Sequence, residues 1–79
     1  MTTSLDYIRT RRDMPWIKRG MRVEVDGRMG VVTSGNHSGN INVRLDGEKH
    51  AGNCHPWWKT RYFDGDGNVI ADYREDGDE

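Results

Sequence analysis

Between Met21 and Leu45 the chain alternates apolar and polar residues with a period of two, and glycine-bearing turns interrupt the alternation. In "MRVEVD" it places Met21, Val23 and Val25 on one face and Arg22, Glu24 and Asp26 on the other, the pattern of a half-buried strand. "DGR" is a tight-turn signal and "MGVVTS" reads as a second strand. After the polar loop "GNHSGN", "INVRLDG" alternates again, with Ile41, Val43 and Leu45 inward and Asn42, Arg44 and Asp46 outward. "EKHAGN" reads as a second loop, "WWKTRYF" as a fourth strand, "DGDGN" as a turn and "VIADY" as a short fifth strand. Short strands recurring every ~8–12 residues predict an all-β barrel or sandwich. At this length a closed, strongly bent five-stranded barrel over residues 16–71 is the better solution, because closure removes exposed edges.

Seventy-nine residues make one small domain, which buries only about 60% of the surface its unfolded chain exposes. With 33% hydrophobic residues, the three Trp, three Tyr and one Phe must carry much of the burial. The expected core is Val23, Val25, Val32, Ile41, Val43, Leu45, Trp58 and Tyr62. A single Cys forms no internal disulfide, and no apolar run approaches the roughly 20 residues of a membrane span. A cytoplasmic protein, monomeric or weakly dimeric and without membrane contact, is the expectation. Residues 1–15 are either a short helix, with Leu5 and Ile8 as its apolar stripe, or a flexible arm. Pro15 ends such a helix by about Asp13 or Met14.

"RGMRVEVDGRMGVVTSGNHSGNINVRLDG" is similar to the small SH3-like barrels of the KOW and Tudor-like type. That pattern opens on a Lys/Arg-Gly pair and a V-x-V strand, turns into a Gly-x-Val strand, and crosses a polar loop into V-x-(V/L)-D-G. Lys18, Arg19, Gly20, Val23, Val25, Gly30, Val32, Val43, Leu45, Asp46 and Gly47 occupy those places. The following "HPWWKTRY" resembles an HP-x-W strand of small uncharacterised phage and prophage proteins. The resemblance implies a fold and leaves the partner open, since such barrels serve many roles.

Charge is distributed unevenly. Residues 1–30 carry a net +3, residues 31–61 a net +2, and residues 62–79 a net −6, so a mildly basic body precedes an acidic and expectedly disordered tail over residues 72–79. Three groupings invite a chemical reading and fall short of it. His50, Cys54 and His55 lack the four ligands in paired spacing that structural zinc requires. Cys54 as a nucleophile needs a base, and His37 and His50 reach it only through loops. "DGDGN" fails the calcium-loop pattern in both registers and is better read as a hairpin turn. No catalysis, no metal and no cofactor are expected.

The aromatic residues of "WWKTRYF" divide by strand alternation. Trp58, Thr60 and Tyr62 fall on one face, and Trp57, Lys59, Arg61 and Phe63 on the other. With Trp58 and Tyr62 inward, Trp57 stands outside between two cations, a composition used to stack bases and meet phosphates. Arg22 and Arg44, on the outward phase of neighbouring strands, extend that row. The plainer reading has Trp57 covering one end of the barrel under the N-terminal segment, with the cations as a solvated face. The expected function is a non-enzymatic binding module, a phage- or prophage-like accessory protein whose favoured ligand is nucleic acid. The alternative is an adaptor that uses the same surface on a host or viral protein. An acidic tail would compete with phosphates for the basic face.

Overall fold

A computed structural model describes residues 4–36 and 38–74 of the chain. One helix, α1 (Ser4–Arg11), precedes six strands: β1 (Arg22–Val25), β2 (Arg28–Gly35), β3 (Ile41–Leu45), β4 (Gly52–Cys54), β5 (Thr60–Phe63) and β6 (Val69–Asp72). All strands pair antiparallel in a single sheet of order β4-β3-β2-β1-β5-β6. The expected five strands become six, because β4 forms in the stretch read as a loop. The expected tail lies largely in residues 75–79, outside the described residues.

Local chemistry explains the hairpins. Asp26 and Gly27 both adopt left-handed φ values, 52° and 85°, as a two-residue turn between twisted strands requires. That turn sets Val25 opposite Arg28 and Val23 opposite Gly30. Gly30 is required for another reason: a Cβ there would lie 2.6 Å from the Arg44 carbonyl oxygen and 2.8 Å from the Leu45 Cα. β2 and β3 therefore approach as no side chain would permit. In the next loop the Asn36 side-chain oxygen accepts from the amides of Ser38 and Asn40 and closes the turn.

The sheet curls around its apolar face. β4 and β5 are four places apart in the strand order, roughly 19 Å in a flat sheet. Pro56, just beyond β4, nonetheless accepts a 2.7 Å hydrogen bond from the Tyr62 hydroxyl on β5. Val23, Val25, Val32, Ile41, Val43 and Tyr62 fill the enclosed space, as their alternation predicts. Leu45 is only partly buried and packs against that cluster.

The helix supplies the rest of the core. Leu5 and Ile8 are buried, with Met14 and Ile17 from the connection to β1. Burying each such aliphatic side chain contributes about 1.5–3 kcal/mol. An eight-residue helix is marginal alone, so this packing holds it. Two arginines fasten it further: Arg9 donates to the Ile17 carbonyl at 2.9 Å and Arg12 to the Gly39 carbonyl at 2.8 Å. Of the two possibilities for residues 1–15, residues 4–11 form a docked helix.

Trp58 corrects the sequence reading. It is 51% exposed and not part of the core. β5 begins only at Thr60, and Lys59 takes a left-handed φ of 48°. That residue breaks the alternation, so the phase that buries Thr60 and Tyr62 does not extend back to Trp58.

Candidate functional site

Residues 55–59 form a turn held at both ends. The His55 carbonyl accepts from the Trp58 amide at 3.2 Å, and its Nδ1 accepts from the Trp57 amide at 3.1 Å. Pro56 is buried, and its carbonyl takes the Tyr62 hydroxyl. Both indoles are thereby turned outward. Trp57, 37% exposed, lies 5.2 Å from the Arg12 guanidinium, with the His55 ring at 5.7 Å and the Tyr73 ring at 6.2 Å. Trp58 carries the Lys59 ammonium 5.3 Å from its ring centroid. Partial burial, and then the Arg12 charge, lower the pKa of His55 below its ordinary 6.5.

The expected row of Trp57, Lys59, Arg61, Arg22 and Arg44 divides in two. Trp57 and Lys59 share the turn. Lys59 has the Asp26 carboxylate at 3.9 Å, a solvent-exposed pair of small energy that leaves the ammonium accessible. Arg61 lies on β5 directly across from Glu24 on β1, and its guanidinium binds the Glu24 carboxylate and covers the Phe63 ring at 5.1 Å. Arg22 holds Asp46 through two hydrogen bonds, 3.0 and 2.8 Å, which raise the pKa of the arginine and lower that of the acid. Arg44 is exposed and reaches the Glu48 carbonyl at 3.5 Å. With Arg28 against Glu48 at 3.4 Å, the outward charges of β1, β2 and β5 are set against acids.

A concavity elsewhere on the molecule escapes the strand-by-strand reading. A groove of about 360 Å³ is lined by Trp16, Lys18, Arg19, Met21, Phe63 and Ile70, among others. Lys18 and Arg19 are exposed and make no ion pair among the described residues. The one usable signal in the sequence is "WIKRG", an aromatic residue and two adjacent cations with no acid between them.

Cys54 is half-buried, and burial pushes its thiol pKa up, which lowers the thiolate fraction at neutral pH. No group of three or more His, Cys, Asp or Glu gathers into a ligand set among the described residues, and no described helix is long and apolar enough to cross a membrane. Comparison with protein-family models, curated proteins and solved structures finds no match for this chain.

Proposed function

We propose that the chain is a non-enzymatic binding module that takes single-stranded nucleic acid on the 55–59 turn. The observation that carries this reading is the pair of outward indoles with cations at their rings, Trp58 beside Lys59 and Trp57 beside Arg12. Exposed aromatic faces stack bases without regard to sequence, and adjacent cations meet the backbone. The curled six-stranded sheet is compatible with an SH3-like barrel of the KOW and Tudor-like type, and we assign the chain to that architecture as a phage- or prophage-like cytoplasmic accessory protein.

The alternative is a protein adaptor, and the pairing of Arg61, Arg22 and Arg28 with acids favours it, since those charges are less available to phosphates. NMR titration with oligothymidylate at low salt separates the two. A nucleic-acid binder shifts the Trp57 and Trp58 indole signals. With two principal phosphate contacts its affinity follows salt with a logarithmic slope of about −1.4. Unmoved indoles at millimolar oligonucleotide leave the adaptor as the function.

A further inference from the structure

The groove lies at the far end of β5 and β6 from the aromatic turn. Phe63 and Ile70 line it, whereas Thr60 and Tyr73 mark the opposite ends of that strand pair. β6 is the terminal strand of the sheet, paired with β5 alone among the described strands. The Tyr73 amide donates to the Thr60 carbonyl, so strand alternation turns the Asp72 amide toward the open side. Val69 and Ile70 on this edge are 46% and 40% exposed. One short edge therefore carries the Asp72 amide toward one end and the exposed aliphatics, the groove and its two cations toward the other, with a one-residue register shift at Ile70 between them.

We propose that this edge binds an extended peptide carrying an acidic residue beside an aliphatic one. The peptide adds as a further strand along β6, its aliphatic side chain packs against Trp16, Met21, Phe63 and Ile70, and its carboxylate meets Lys18 and Arg19.

Each component of that ligand answers a feature of the protein. Strand addition satisfies the edge amides and carbonyls, and alternate side chains enter the adjacent pocket. The groove volume lies at the small end of the ~300–1,000 Å³ of ligand clefts, which suits one or two side chains and not a folded surface. Of the acids nearby, Asp46 is held by Arg22 and Asp72 by Arg74, and the Asp64 carboxylate accepts from the amides of Asp66 and Asn68 at 2.9 Å. Lys18 and Arg19, two cations without an ion pair among the described residues, outnumber the one acid of the lining that has no cation partner, Asp64, and favour an acidic ligand. A nucleic acid offers no alternating N–H and C=O ladder for β6. This site stands independently of the nucleic-acid reading of the turn.

The test uses the full chain, isotope-labelled, and a blocked hexapeptide of alternating valine and glutamate. Expected are amide shifts at Gly20, Met21 and Ile70 through Asp72, with Trp57 and Trp58 unmoved. The same peptide N-methylated on alternate residues, which removes its strand donors, should lose binding. A peptide with lysine in place of glutamate should not bind. Reversing both exposed cations, Lys18→Glu with Arg19→Glu, should weaken binding by about tenfold without changing the protein's spectrum elsewhere. The proposal is overturned if β6 stays silent at millimolar peptide, or if the N-methylated peptide binds as well as the parent. Shifts confined to the 55–59 turn overturn it too, as does oligothymidylate occupying the groove in dependence on Lys18 and Arg19.

Discussion

The Tyr62 hydroxyl donates to the Pro56 carbonyl across 2.7 Å, joining strand β5 to the turn that follows β4. Both residues are buried, and the Tyr62 ring is flanked by Trp16 at 5.0 Å and Tyr73 at 6.1 Å. Tyr62→Phe keeps the ring and strands the carbonyl. Urea unfolding should show a loss of about 1–3 kcal/mol, the penalty of a buried acceptor without a donor. Unchanged stability would mean that water reaches Pro56 and that the sheet is open there.

The same phenol makes stability depend on alkaline pH. Burial, foremost, pushes its pKa well above the ordinary 10.0, so above that pH the unfolded chain releases a proton that the folded chain retains. Its stabilisation is complete below pH 10 and is lost as the pH rises further. Tyr62→Phe should flatten that decline in unfolding curves recorded between pH 9 and 11.

Helix and sheet share one core, so each should fail when the other is cut. Ile8→Ala should destabilise by about 2–5 kcal/mol and Val43→Ala by about 1–3 kcal/mol, each in a single cooperative transition. An Ile8→Ala variant that melts like the parent protein would show that α1 is not docked in solution.

Much of this arrangement is legible in the residues. Alternation identifies β1 and β3 with the correct inward face, because Val23 and Val25, and Ile41 and Val43, stand at every second position, whereas β2 is marked only by its run of β-branched residues, Val31, Val32 and Thr33. β4 is hidden, since "GNC" contains no β-branched or aromatic residue, and pairing with β3 alone makes it a strand. Met14 and Ile17 stand at a helical spacing of three, but Pro15 between them ends the helix, so their burial emerges only when α1 docks. The error at Trp58 has a single origin in Lys59, a residue with no intrinsic preference for left-handed backbone. The groove draws on residues 16, 18–22, 63–65 and 70, and only the sheet topology assembles those segments.

Cys54 should be a slow thiol. With its pKa raised by burial, it should react with a disulfide reagent at pH 8 more slowly than a free cysteine, and unfolding in urea should remove the difference. Cys54→Ser should keep the native amide spectrum, and a chelator should leave the melting curve in place. Collapse on chelation would reveal a structural metal.

His55 reports on the N-terminal segment. Its pKa should lie below 6.5 in a proton-detected titration, and Arg12→Ala should move it part of the way back, burial being the larger cause. The depressed pKa makes the neutral ring the folded form, so this contribution to stability is present above pH 6.5 and fades as the pH falls through the folded value. A His55 titration unaffected by Arg12→Ala would separate the helix from the turn.

Arg12 bears on the order in which the chain can assemble during synthesis. Its guanidinium group reaches both the Gly39 carbonyl and the Trp57 ring, so the segment that follows α1 waits for partners made much later in the chain. Eight residues of helix do not persist unsupported in water. The α1 segment can then reach its final place only once β2 and β3 have paired and the 55–59 turn has emerged, and contacts so distant in sequence cost loop-closure entropy.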